Sequence, residues 1–306
     1  MHFKVQPTNL ECSISIFHYH HHNHHHSLRS SGLPFRLVTN ETQNPVPKLV
    51  EKLNGFGYDF AEGEIIAPGP TVRRYLDAHS LRPYLLVHKS KVLQSLGGDE
   101  IYGYFNSSSF LLFLELLPEF EGLSTEEPNV VVVGDAAQYF TFEAVNGAFQ
   151  LLLALKEKQQ QQQTPENSQT PLLISMGKNK YYKEHGALTI DLGAYTTALE
   201  YAADVQSLVI GKPSAAYFNA ALASFGTSSS SPPSMAPTFS PEEVLMVGDD
   251  LMGDVKGAQD VGMRGVLVRT GKFRSSDAHH PTVKPDAIVE NLAEAIREII
   301  AANRTA

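Results

Sequence analysis

Hydrophobic positions along the chain follow two rhythms. Short apolar runs alternate with stretches in which apolar residues return every three or four positions. The runs are FRLVT (35–39), YLLVH (84–88), VVVVG (130–134), PLLIS (171–175), SLVIG (207–211), EVLMVGD (243–249) and GVLV (265–268), and each predicts a strand. VPKLVEKLNGFG (46–57) places Val46, Leu49, Val50 and Leu53 at helical spacing and then meets glycines, which predicts a helix with a C-terminal stop. The same spacing predicts helices at 142–155, 195–203, 215–223, 254–261 and 292–301. Strands alternating with amphipathic helices argue for parallel α/β layers. Unbroken Val/Ile/Leu runs suit strands buried on both faces.

Four stretches break the pattern. Residues 1–27 read as irregular, with His at seven of the nine positions from His18 to His26. That tract is either a metal-binding segment, since imidazole ligates Zn or Ni, or a low-complexity tail. Gln159–Gln163 and TSSSSPPSMAP (227–237) read as inserted linkers with nothing to bury. Residues 93–127 are longer than a connector and include the apolar FLLFLELL (110–117). This reads as a helix packed on a second domain. At eight residues it is far short of the ~20 a membrane helix needs.

Composition narrows the function. The 306 residues are 42% hydrophobic and 19% charged, which is ordinary globular usage. A net charge of −9 without a Lys/Arg block argues against a nucleic-acid surface. The single cysteine, Cys12, cannot form an internal disulfide, and no secretory signal is recognisable. A cytoplasmic protein, also present in the nucleus, is expected, with no membrane partner.

Three candidate constellations follow predicted strands. In EVLMVGDDLMGDVKGAQDVGM (243–263) the apolar run ends at Gly248, Asp249 and Asp250 follow, and Asp254 opens a helix. Carboxylates at the C-terminal end of a parallel strand are hard oxygen ligands suited to Mg²⁺. The alternative is an acidic turn with a capping Asp. In VIGKP (209–213) Lys212 stands where a strand ends, placed to neutralise phosphoryl oxygens or to remain a surface lysine. In LVTNE (37–41) Thr39 and Asn40 could hold a phosphoryl group or form a polar turn. Together they supply a hydroxyl, a fixed cation and a metal ligand, as phosphoryl transfer requires.

Thr39, Lys212 and GDDLMGD (248–254) resemble motifs two, three and four of the haloacid dehalogenase superfamily of phosphatases. TNETQ (39–43), LRPYLLVH (81–88), LISMGKNKYYKE (173–184), VIGKPS (209–214) and the long VRTGKFRSSDAHHPTVKPDAIVENLAEA (268–295) resemble a branch acting on phosphoramidates and pyrophosphate. The resemblance implies a Rossmann-like three-layer parallel-sheet core, 28–65 and 206–306, with an inserted α/β C2-type cap at 66–205. It implies Mg²⁺-dependent hydrolysis. Asp249 would be the metal ligand, Lys212 and Asp254 the catalytic residues, and Thr39, Asn40 and Lys212 would bind substrate. Small phosphorylated molecules, pyrophosphate or phosphoprotein side chains are the expected partners, and a homodimer through the cap is expected.

One element of the family pattern is missing. Enzymes like these open with a strand ending in D-x-D-G or D-x-S-G, whose Asp attacks phosphorus and binds Mg²⁺. Residues 1–31 contain no Asp. A truncated or altered N-terminus is therefore expected, with the central strand absent and no Mg²⁺-dependent phosphatase activity in the chain as written. A non-catalytic phosphate or phosphoprotein binder is the alternative. ISIF (14–17) could occupy the vacant slot only poorly, with His18 then near the place of the missing Asp.

Overall fold

A computed structural model describes residues 11–14, 28–87, 118–161, 171–184, 187–225 and 239–304. Twelve strands are present among them: β1 Glu11–Ile14, β2 Phe35–Val38, β3 Ile65–Ile66, β4 Pro83–Leu86, β5 Val130–Val133, β6 Leu173–Ser175, β7 Tyr181–Glu184, β8 Ala187–Ile190, β9 Ser207–Val209, β10 Val244–Gly248, β11 Arg264–Val268 and β12 Ala287–Val289. They form a six-stranded sheet in the order β12-β11-β10-β1-β2-β3, a four-stranded sheet β4-β5-β6-β9 and a β7–β8 hairpin. Every pairing in the two larger sheets is parallel, and the hairpin is antiparallel.

The six-stranded sheet is the core domain. β10 alternates between its faces. Leu245 and Val247 pack with Phe35, Leu37 and, from helix Leu292–Arg304, Ile296 and Ile299. Val244 and Met246 pack with Tyr217, Phe218 and Leu222 of helix Ala215–Ser224. Burying each such side chain contributes about 1.5–3 kcal/mol before entropy is counted. This is why β10 is apolar at every position instead of at alternate ones. The second sheet is likewise covered on both faces. Val131 and Val133 meet helices Phe142–Gln161 and Leu192–Ala203, while Val130 and Val132 meet helix Pro68–Ala78.

Several expectations are corrected. The central slot is filled: β1 lies between β10 and β2, with Ile14 opposite both Val247 and Leu37. Residues 11–14 are thus not irregular, and they meet the ISIF segment (14–17) proposed for that slot at Ile14. Backbone pairing on both sides satisfies this strand although Glu11 and Ser13 make ECSI half polar. The expectation for His18 lies outside the described residues, as do FLLFLELL and TSSSSPPSMAP. The glutamine run is not wholly a linker, because helix Phe142–Gln161 continues into it. Ile66 pairs with Val38 in the core sheet, so the cap begins beyond it. β9 pairs with β6, so the strand leading to Lys212 belongs to the cap and not to the core.

Candidate active site

Counting the core strands alone gives the order 3-2-1-4-5-6, which reverses between β1 and β10. In open parallel sheets ligands bind outside the strand ends at that reversal. Asp249 and Asp250 emerge there from β10.

Asp254 was expected to open the following helix, but the helix begins earlier. Asp250 is the cap: its Oδ1 accepts the N–H groups of Met252 (3.1 Å) and Gly253 (2.8 Å). Residues Leu251–Lys256 then wind as a π-helix. Such wide turns concentrate at functional sites. This one carries Asp254 beneath the strand end, where its Oδ2 accepts the N–H of Asp250 at 3.2 Å. A Cβ on Gly248 would overlap the Asp254 carboxylate, so only glycine permits this approach.

Lys212 Nζ donates to Asp254 Oδ1 at 2.7 Å, and both residues are buried. The lysine is therefore not a surface lysine. Asn40, placed by sequence beside the phosphoryl group, is committed elsewhere. Its Oδ1 accepts the N–H of Lys212 (2.8 Å) and its Nδ2 donates to the Lys212 carbonyl (3.0 Å). Asn40 thus clamps the backbone of the lysine loop, where the Lys212–Pro213 peptide is cis. Thr39 is buried, and its Oγ1 accepts the N–H of Glu41 at 3.0 Å in the turn anticipated as its alternative role. The hydroxyl proton is left to donate. The Tyr217 hydroxyl lies 2.6 Å from the Thr39 carbonyl and 2.7 Å from that of Ile66.

Asp249 is the residue whose environment asks for a ligand. Its Oδ2 accepts the N–H of Lys272 at 3.0 Å, while its Oδ1 is buried without a hydrogen-bond partner. Burial, and then the neighbouring charge of Asp254, push its carboxyl up to about 7. Gly271, with φ +51°, brings Lys272 onto this carboxylate, and a Cβ there would overlap Asp249 Oδ2. For Asp250, burial opposes the charge, but Lys272 and the Gly253 N–H outweigh it and hold its carboxyl below the usual range. Lys272 Nζ stands 3.4 Å from Asp250 Oδ2.

The orphaned Asp249 oxygen fits a hard divalent cation. Mg²⁺ takes one or two carboxylates and completes its shell with waters and phosphate oxygens. No group of three or more His, Cys, Asp or Glu side chains suited to a metal occurs among the described residues. Asp249 would therefore be the ligand this chain offers.

A cavity of about 10 Å³, roughly one water in size, is lined by Asn40, Asn179, Lys212, Asp250, Gly253, Asp254 and Lys272. It adjoins a cleft of about 310 Å³ between the core loops and the cap segment Lys178–Tyr181, with Asn179, Asp250, Gly253 and Lys272 lining both. Sequence reasoning missed Lys272 and Asn179. Lys272 sits four residues beyond β11, the kind of strand end that pointed to Asp249. Asn179 follows a cap strand, within the stretch 173–184 that carried the family resemblance, but was assigned no role there.

This arrangement defines a hydrolase of the haloacid dehalogenase-like family, and the chain belongs to that family. Residues 21–101 match the haloacid dehalogenase-like hydrolase family model, and residues 209–295 match the HAD-hydrolase-like one. Over 274 residues the chain is 40% identical to phospholysine phosphohistidine inorganic pyrophosphate phosphatase of Xenopus laevis, covering 90% of this chain and 83% of that protein. The human protein of that name is 39% identical over 269 residues, covering 88% and 81%. Human haloacid dehalogenase-like hydrolase domain-containing protein 2 is 34% identical over 273 residues, covering 89% and 85%. The p-nitrophenyl phosphatase from Archaeoglobus fulgidus shares the fold, with a TM-score of 0.69 at 17% identity over 95% of this chain and 99% of that one.

Proposed function

We propose that the site is that of a Mg²⁺-dependent phosphatase directed at phosphoramidates and pyrophosphate. The observation that carries this reading is the buried Lys212–Asp254 pair set beside the unpartnered Asp249 oxygen at the sheet's reversal point. The names of the relatives that share most of the chain support the substrate class. Asp254 orients Lys212, whose ammonium neutralises phosphoryl oxygens. Thr39 offers its hydroxyl proton, and Asn40 keeps the lysine loop in place. Asp249 would hold Mg²⁺, which supplies charge to the oxygens of the transferring group.

The covalent step implied by the family resemblance lacks its attacking carboxylate, since residues 1–31 contain no Asp. Splitting hydrolysis into two easier steps is then not open to this chain. Our reading is that the 306-residue chain binds phosphoryl groups through a phosphatase site without rapid turnover. That same absence favours the second reading, a phosphate-binding relative of the enzymes. Phosphate release from pyrophosphate, with Mg²⁺ and with chelator, tests the first part, and calorimetric titration of orthophosphate tests the second. Mg²⁺-dependent turnover at rates of ordinary enzymes, on the order of 1 s⁻¹ or more, would overturn the expectation of slow chemistry. No binding of orthophosphate would overturn the site itself. We further place the protein in the cytoplasm and nucleus, acting on small phosphorylated molecules or phosphorylated side chains. We also propose a dimer through the cap, supported by exposed Leu188 and Ile190 on β8. No helix among the described residues is long and apolar enough to cross a membrane.

A further inference from the structure

The wide cleft carries a charge pattern that the phosphoryl site does not use. Four cations line it: Lys178 and Lys180 from the cap, Lys272 and Arg274 from the core. Lys178 is matched by Glu200 at 2.7 Å, and Lys272 by Asp250 at 3.4 Å. Lys180 and Arg274 enter no ion pair among the described residues. Of the two lining carboxylates, Asp250 caps its helix and faces Lys272, and Asp277 accepts the N–H of Arg274 in its own turn. The Arg274 guanidinium is held 4.8 Å over the ring of Tyr181. Stacking uses the face of the guanidinium and leaves its edge N–H groups to grip an anion in bidentate fashion. In a chain of net charge −9, two unmatched cations lining one cleft, one from each domain, are a local reversal of the molecule's field.

We infer that Lys180 and Arg274 form a second anion subsite, which selects substrates whose leaving group is itself a phosphate. The inference rests on reading the Lys212–Asp249 cradle as the phosphoryl site. The cleft adjoins the cavity beside Lys212 and shares Asn179, Asp250, Gly253 and Lys272 with it, so a phosphate bound beside Lys212 can carry a second one toward the cleft. Both residues are specificity determinants under this assignment. They bind the departing group and take no part in the chemistry at the transferred phosphorus.

The test is calorimetric titration of the 306-residue chain in Mg²⁺ with orthophosphate, phenyl phosphate and imidodiphosphate, a hydrolysis-resistant diphosphate. Imidodiphosphate should bind about tenfold or more tightly than phenyl phosphate. Lys180→Ala with Arg274→Ala should remove most of that preference and leave phenyl phosphate binding within about twofold. The preference should also shrink when salt rises from about 0.05 to about 0.5 M, because the subsite is open to solvent. Equal wild-type affinities for imidodiphosphate and phenyl phosphate would overturn the subsite while the cradle stands. A preference that survives the double substitution would do the same. If orthophosphate and phenyl phosphate do not bind at all, the cradle reading fails and the subsite with it.

Discussion

Replacing Lys212 by Met probes the ion pair on which the site is built. The pair is 2.7 Å long and its side chains are 4% and 1% exposed. At an effective dielectric constant near 20 the attraction at that distance is about 6 kcal/mol. Desolvating two charges cancels much of this, so the net worth of the pair is small. Removing one partner is another matter. Lys212→Met leaves the Asp254 carboxylate buried with only the Asp250 N–H donating to it, next to the Asp249 carboxylate. The expected loss of stability is about 3–5 kcal/mol. Asp254→Asn, which strands the ammonium, should lose a similar amount. Lys212→Met with Asp254→Asn buries no charge at either position and should be at least ~2 kcal/mol more stable than the sum of the single losses predicts. The chain has 12 tyrosines and no tryptophan, so urea unfolding is best followed by tyrosine near-UV circular dichroism. Chelator keeps cations from contributing. A loss under ~1 kcal/mol for Lys212→Met, or strictly additive losses, would refute the pair as a buried charge couple.

Three further outcomes are expected. In wild type Mg²⁺ should tighten orthophosphate binding about tenfold or more, and Asp249→Asn should bring that gain within about twofold by calorimetry. An unchanged Mg²⁺ effect would remove Asp249 as the ligand. Gly271→Ala sets a Cβ against Asp249 in a left-handed turn, so a loss of about 1–3 kcal/mol is expected in urea titrations. Neutral behaviour would show that the loop relaxes freely. Burial alone would raise the Glu200 carboxyl, but Lys178 and Ser207 hold it below its usual range. Its contribution is therefore present above the unfolded carboxylate range, near 4.3, and lost as pH falls below it. Glu200→Gln should flatten the acid limb of a melting-temperature profile. An unaltered limb would assign acid sensitivity elsewhere.

The apolar rhythm exposed most of the architecture because buried parallel strands must be apolar throughout, and β5 and β10 are. It caught β1 only at its last residue, Ile14 of ISIF, because ECSI is half polar and its place is set by backbone pairing on both sides. It missed helix Pro68–Ala78, which opens with Pro-Gly-Pro, a turn signal that is also tolerated in a first helical turn. The β7–β8 hairpin was missed because β8 is largely exposed and buries no apolar stripe to read. The positions of Thr39, Lys212 and Asp249 just beyond strands were legible. Their division of labour was not. Which of Asp250 and Asp254 caps the helix depends on a π-turn that leaves no periodic trace, and Asn40 meets Lys212 only through folding across 172 residues.

The cap is joined to the core at two places, and both are short. β3 of the core gives way to helix Pro68–Ala78 of the cap through Ala67 alone, while Ile210, packed in the cap, is followed within a few residues by helix Ala215–Ser224 of the core. The Tyr217 hydroxyl reaches the Ile66 carbonyl, so the two links lie side by side. Lys212 lies within the second link, with Asn40 of the core gripping its backbone on both sides. The lysine paired with Asp254 thus sits in a connection between the two sheets, and the core sets its position. Any displacement of the cap against the core would leave Lys212 tied to Asn40 and Asp254, while Lys178 and Lys180 would move with the cap.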